Sequence, residues 1–235
     1  SVFERRNLLT RPTAANLDKL MIVLALSAPK PDLLLADKLM LQCSIKNVTP
    51  VIVLNKCDEG DEALAADIER QYAPSGVDVI TASARTGEGI GSIRKQIEGS
   101  ICCFAGQSAV GKSSLLNAII PGLGLETGGL SRKTERGRHT TRHAQLYPAF
   151  GGAVLDTPGF SLLEAEEIDP EQLSSHYPEM REIKRQCRFP ECMHISEPGC
   201  AVKPLLETGG LSRERYERYK IIAEELKEKR KHKYD

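Results

Sequence analysis

Four short patterns in this chain have the residue types and spacing to hold a nucleotide. Gly106-Gln107-Ser108-Ala109-Val110-Gly111-Lys112-Ser113 reads G-x-x-x-x-G-K-S, with Ser114 following. Its glycines let successive backbone N–H groups turn inward onto phosphate oxygens, and a helix N-terminus behind them adds positive potential. Lys112 would reach the β- and γ-phosphates, and the Ser113 hydroxyl suits Mg²⁺. Asn55-Lys56-Cys57-Asp58 reads N-K-x-D. A carboxylate at Asp58 accepts two hydrogen bonds from guanine N1 and N2, a donor pair that adenine lacks. Asn55 would brace the loop and meet the base edge, and the Lys56 stem would lie along the ring. Thr81-Ala82-Ser83-Ala84 suits a loop whose backbone N–H, at Ser83-Ala84, meets guanine O6. Asp156-Thr157-Pro158-Gly159 reads D-x-x-G. Asp156 would hold Mg²⁺ through water and the Gly159 N–H would meet the γ-phosphate. The chemistry expected is therefore binding of GTP or GDP with Mg²⁺.

The order of these blocks is inverted. An ordinary small GTPase runs phosphate loop, D-x-x-G, then N-K-x-D, whereas here N-K-x-D comes first, as in a circular permutation. After Gly159 comes Phe160, where Ras-like enzymes use Gln to orient the attacking water. Phe cannot do so, which leaves a slow GTPase or one that uses another residue. Arg138-His139-Thr140-Thr141-Arg142 supplies candidates. Thr141, with Thr140 second, would complete the Mg²⁺ shell and sense the γ-phosphate. His139 either orients water or is an exposed loop His or RNA contact. Arg138 or Arg142 is a weaker candidate for neutralising transition-state charge.

A second constellation is Cys187-x4-Cys192-x-His194-x5-Cys200. Three thiolates and one imidazole suit a closed tetrahedral Zn²⁺ site. With no coordination position left open, that zinc would be structural. Cys43, Cys102 and Cys103 lie in apolar stretches and read as packing residues.

These residues need elements to position them. Met21–Leu26, Val51–Asn55, Val77–Thr81, Ile101–Ala105 and Ala153–Asp156 read as buried strands. Asp32–Ile45, Glu62–Tyr72, Ile90–Ile97 and Ser113–Ile120 have helical spacing. Strands alternating with helices predict an α/β fold with a parallel, doubly wound sheet. In such sheets ligands sit at the carboxyl ends of the strands, so permuted motifs still reach one rim. Gly99-Ser100 is the expected joint of the old termini. After residue 160, short Pro-punctuated helical pieces, the Cys/His cluster and a charged helix from about Ser212 to Lys233 predict a second, mostly helical domain. The divisions expected are 1–12, 13–163 and 164–235. Leu125–Arg132 and Leu206–Arg213 both read LETGGLSR; the second makes sense as a Gly-Gly turn with Ser212 capping a helix.

Composition bounds the partners. Lys plus Arg and Asp plus Glu balance at 32 each, so no net field draws the whole chain to nucleic acid. RNA contact would come from local patches such as Arg132 to Arg142; the tail Lys227–Lys233 reads as a solvated helix end. No apolar run approaches the about 20 residues a spanning helix needs. Seven Cys in such a chain fit a reducing, cytoplasmic setting.

Taken together, the permuted N-K-x-D, S-A, G-x-x-x-x-G-K-S, R-H-T-T and D-T-P-G-F, followed by C-x4-C-x-H-x5-C, resemble the bacterial small-subunit-dependent GTPases of the RsgA (YjeQ) family. The resemblance runs from about Leu8 to the C-terminus. It implies binding to the immature 30S subunit and its 16S rRNA, release of other assembly factors, and hydrolysis stimulated by the 30S particle, by a monomer. The hydrophobic residue at Phe160 and the switch histidine at His139 also fit the family. Its members begin with an OB-fold barrel; here Ser1–Pro12 resembles only that domain's last strand and linker. The rival expectation is a nucleotide-gated RNA- or ribosome-binding scaffold whose hydrolysis is incidental.

Overall fold

The computed structural model describes residues 5–9, 14–127, 145–156 and 168–233. A two-residue hairpin opens it, β1 (Leu8–Leu9) against β2 (Ala14–Ala15). Then come β3 (Lys19–Ala25), α1 (Leu33–Lys46), β4 (Thr49–Asn55), α2 (Glu62–Tyr72), β5 (Asp78–Thr81), α3 (Ile90–Ile97), β6 (Ile101–Ala105) and α4 (Lys112–Ile119). The hairpin β7 (Gln145–Ala149) and β8 (Gly152–Asp156) follows. The C-terminal part holds a 3₁₀ turn at Pro170–His176, α5 (Pro178–Arg181), a second 3₁₀ turn at Ile183–Gln186, α6 (Lys203–Thr208) and α7 (Arg213–Lys233).

The main sheet has the order β5-β4-β3-β6-β8-β7. Its first five strands are parallel, as the strand-helix alternation predicts. The sixth is a correction: β7 pairs antiparallel with β8. Its side chains are largely exposed, so no apolar run marks it in the sequence, and Pro148 fits only an edge. Both faces of the central strands are apolar, and alternate residues feed two cores. Leu20, Ile22, Leu24, Ile52, Leu54 and Cys103 face α1 and α2. Met21, Val23, Val51, Val53, Cys102 and Phe104 face α3 and α4. Each such fully buried Leu, Ile or Val is worth roughly 1.5–3 kcal/mol.

Because β4, β5, β6 and β8 run the same way, Asn55, Thr81, Ala105 and Asp156 all end at one rim. Gly99-Ser100 lies at the other end, where the Gly99 N–H donates to Phe150 O (3.1 Å) and the Ala153 N–H to Ser100 O (3.0 Å). In the second LETGGLSR copy, Gly209 ends α6 in the left-handed region (φ 75°). Ser212 Oγ accepts from the Arg215 N–H at 3.2 Å, capping α7.

α1 is buried nearly all round, not along one stripe, because it lies between two layers. Asp32 caps it by accepting from the Leu35 N–H (2.9 Å), and Asn47 closes it in the left-handed region. Ala36, Leu39 and Cys43 face the sheet. Leu41, with half-buried Leu34 and Ile45, faces a third core built from Leu173, Tyr177, Met180, Val202, Tyr219 and Ile222.

Buried charge crosses that second contact. Asp37 pairs with both Arg215 and Arg218, and Arg215 Nε donates to Glu179 at 2.6 Å. The Arg215 guanidinium also lies 4.9 Å from the ring centres of both Tyr72 and Tyr177. Removing one partner of such a set strands the others without water. Arg215→Met should therefore lower stability by about 3–5 kcal/mol, read as a lower urea midpoint. Arg218→Met, at a side chain 12% exposed against 2% for Arg215, should cost less.

Candidate nucleotide-binding rim and metal centre

The phosphate loop leaves β6 at Ala105 and enters α4 at Lys112. Its two glycines are required by close neighbours. A Cβ on Gly106 would sit 2.2 Å from Val23 O, and one on Gly111 would sit 2.4 Å from Asn55 Nδ2. Gly111 has φ 95° and no side chain caps α4, so the first amides of the helix are left for an anion. Gln107 and Val110 lie between them, with Ser108 and Ala109 exposed at the crest. Lys112 Nζ donates to Gly106 O (2.8 Å) and Gln107 O (2.6 Å), arching over the loop. Burial pulls the Lys112 ammonium below its usual range, with Asp156 opposing; burial raises the Asp156 carboxyl, with Lys112 opposing. Each charge thus acts on the other. Ser113 and Ser114 are half-buried in the first turn of α4.

The N-K-x-D loop is tied to the Gly106–Ser113 loop by side chains. Asn55 Nδ2 donates to Val110 O at 2.8 Å, and Asn55 Oδ1 accepts from the Ala84 N–H at 3.3 Å. Lys56 Nζ donates to Ala109 O at 2.9 Å and also to Ala28 O. The Cys57 N–H donates to Ala82 O (3.1 Å), joining N-K-x-D to the S-A loop. Ser83 Oγ accepts from the amides of Arg85 (3.2 Å) and Thr86 (3.1 Å). Its hydroxyl also bonds Asp58 and is the main cause that holds that carboxyl below its ordinary range; Arg85 adds to it. Asn55, Lys56, Asp58, Glu59, Ser83, Ala84, Arg85, Gly111 and Ser114 line a cavity of about 280 Å³.

The structure thus brings together every nucleotide-site candidate among the described residues: Asn55, Lys56, Asp58, Ser83, Ala84, Gly106 through Ser114, and Asp156. His139, Thr140, Thr141 and Gly159, with Phe160, lie outside the described residues. Two contacts go beyond the motifs. Gln107 Oε1 accepts from the Asp32 N–H at 3.2 Å, linking the phosphate loop to the start of α1. Arg85 reaches Asp58 and Glu59. Its place directly after S-A was a signal, but nothing in the spacing said which way its side chain turns.

The Cys/His constellation also converges. The ligand atoms of Cys187, Cys192, His194 and Cys200 lie within 4.8 Å of one another. A tetrahedral zinc with sulfur at 2.3 Å needs ligand separations of about 3.8 Å. His194 Nδ1 lies 3.5 Å from Cys187 Sγ and 3.4 Å from Cys200 Sγ, so this nitrogen faces the thiols. Burial pushes the Cys192 thiol up to about 12; a cation among the sulfurs would reverse that. The donor set and its spacing therefore fit a metal ion. The surrounding loop is held from α7: Tyr216 Oη donates to His194 O and Tyr219 Oη to Met193 O (2.9 Å). The Glu197 carboxylate accepts from the amides of Met193, Ile195 and Ser196, each at 2.9–3.0 Å.

Comparison with known proteins agrees with this geometry. Residues 2–166 match the family model described as RsgA GTPase. A protein of Ruminiclostridium cellulolyticum named small ribosomal subunit biogenesis GTPase RsgA is 42% identical over 228 residues, 97% of this chain and 74% of that protein. The protein of the same name from Moorella thermoacetica is 44% identical, over 94% of this chain and 77% of its own length. The crystal structure of YjeQ from Thermotoga maritima superposes with a TM-score of 0.83 at 38% identity, covering 96% of this chain and 77% of that one. That of YloQ, described as a circularly permuted GTPase, gives 0.80 at 33% identity, covering 97% and 75%. The chain belongs to the RsgA GTPase family.

Proposed function

We propose that this chain binds GTP across the rim, hydrolyses it, and through that cycle serves late maturation of the small ribosomal subunit. The observation that carries the reading is the Asn55 carboxamide, which joins Val110 of the phosphate loop to Ala84 of the S-A loop. It makes one receptor for a guanine at one end and phosphates at the other. Asp58 would accept from guanine N1 and N2, and the Ala84 N–H would face O6. Lys112 would exchange the carbonyls of Gly106 and Gln107 for β- and γ-phosphate oxygens. Ser113 and Asp156, with Thr141, would hold Mg²⁺, which neutralises phosphate charge. The Gly159 N–H would meet the γ-phosphate, and His139 would orient the attacking water in place of the Gln that Phe160 replaces.

The Cys187, Cys192, His194 and Cys200 set would hold one structural Zn²⁺. Residues 13–163 would form the nucleotide domain and 164–235 the zinc-bearing one, with 1–12 as linker. Its partners would be the 30S subunit, 16S rRNA and other assembly factors, met as a monomer in the cytoplasm. Among the described residues no helix is long and apolar enough to cross a membrane.

Three outcomes test these assignments. Asp58→Asn should weaken GTP binding roughly 10–100-fold, the range for losing hydrogen bonds to a charged group, and turn preference toward xanthosine triphosphate in calorimetric titration. Unchanged GTP affinity would remove the guanine assignment. Purified 30S subunits should strongly accelerate GTP turnover by the chain; no acceleration would leave a slow switch, with hydrolysis incidental to binding. A strong chelator at neutral pH should erase amide protection across 187–200 and along the adjoining face of α7, with Zn²⁺ restoring it. Protection that survives complete metal removal would show that the thiols only pack.

A further inference from the structure

We propose that Arg85 competes with the guanine base for Asp58 and thereby sets nucleotide affinity, with Glu59 as the partner that holds the arginine when the base takes over. The inference rests on the guanine assignment of Asp58 made above.

The chemistry of the two competitors is the same. Guanine offers a carboxylate two adjacent N–H donors, N1–H and N2–H. An arginine side chain offers the same parallel pair from a planar fork. Both would have to use the same carboxylate, whose Oδ2 Arg85 already contacts. The Arg85 guanidinium makes an ion pair with Asp58 Oδ2 and helps hold that carboxyl below its ordinary range. Because most of the Arg85 side chain lies in water, the contact is a solvent-screened charge attraction that a donor pair seated in the cavity can displace.

The geometry also supplies a way out. The other arm of the fork, Nη1, lies 2.8 Å from Glu59 Oε1. The Arg85 side chain is 66% exposed and that of Glu59 50%, whereas Asp58 is 11% exposed. The arginine can thus rotate toward solvent on Glu59 while the inner carboxylate changes partner. Ser83, which braces Asp58 and turns the loop at Arg85, keeps the carboxylate in place during the exchange.

The sign of the effect separates this role from a generic one. Removing a positive charge near an anionic ligand ordinarily weakens binding. Removing a competitor strengthens it. Stopped-flow and equilibrium titration with GDP carrying a fluorescent ribose ester would be run on the full chain with Mg²⁺. Arg85→Met should bind about two- to five-fold more tightly, as fits the loss of one solvent-exposed ion pair, with a faster association rate. Arg85→Gln should do the same. Glu59→Gln should weaken binding in the parent chain, because Arg85 then rests on Asp58 alone, and should change nothing in the Arg85→Met background. Raising salt should shrink the ratio between parent and Arg85→Met. Pyrophosphate, which fills the phosphate loop without reaching Asp58, should bind Arg85→Met no more tightly than the parent.

Equal affinity and association rate in parent and Arg85→Met would overturn the proposal. So would weaker GDP binding by Arg85→Met, which would make Arg85 a holder of the nucleotide. A parent chain whose GDP affinity is indifferent to Asp58→Asn would instead remove the guanine assignment beneath it.

Discussion

One carboxamide holds the nucleotide rim together. Asn55 sits at the last position of β4, and its side chain donates to Val110 O and accepts from the Ala84 N–H. It can do so only because Gly111 has no Cβ where the Asn55 amide nitrogen passes. Three segments distant in sequence become one surface through a single buried side chain, 1% exposed. Lys56 adds a second tie, from Ala109 to Ala28. A buried amide with both ends bonded is rigid as well as stable, since losing either partner would leave an unsatisfied polar atom. Permutation of the chain leaves this arrangement intact, because the contacts depend on strand ends meeting at one rim and not on the order in which the strands are made.

The second organising contact lies behind the rim. α1 starts at Asp32, whose N–H meets Gln107 of the phosphate loop, and carries Asp37 into a buried charge cluster with Arg215 and Arg218 of α7. Tyr72, Tyr177 and Glu179 complete its walls. A charge cluster of this kind contributes less to stability than its short distances suggest, because desolvation offsets attraction. What it does impose is position: any other seating of α7 on α1 would strand at least one buried charge. α7 in turn presents Tyr216 and Tyr219 to the backbone of the cysteine loop. Phosphate loop, α1, α7 and cysteine cluster therefore form a continuous set of polar contacts.

The boundary between what was legible and what was not follows the range of the physics. The parallel strands, the helices between them and the rim position of the motifs were legible because apolar runs and Gly-x4-Gly-Lys-Ser are local signals with a local meaning. The convergence of Cys187, Cys192, His194 and Cys200 was legible for the same reason: ligand type and spacing within fourteen residues nearly close such a cluster by themselves. β7 was not, because an exposed edge strand carries no burial pattern.

Sequence by itself named the candidate residues for phosphate, guanine and metal, and marked the central strands as buried on both faces. Tertiary structure alone decided the partnerships between distant side chains. Asp37 and Arg215 are separated by 178 positions, and nothing in either neighbourhood specifies the other. Arg85 could have faced solvent; it faces Asp58 and Glu59 because the Ser83 turn aims it there. Buried charge and directional hydrogen bonds select partners by three-dimensional proximity in a low-dielectric interior, and a linear pattern of residue types carries no record of that proximity.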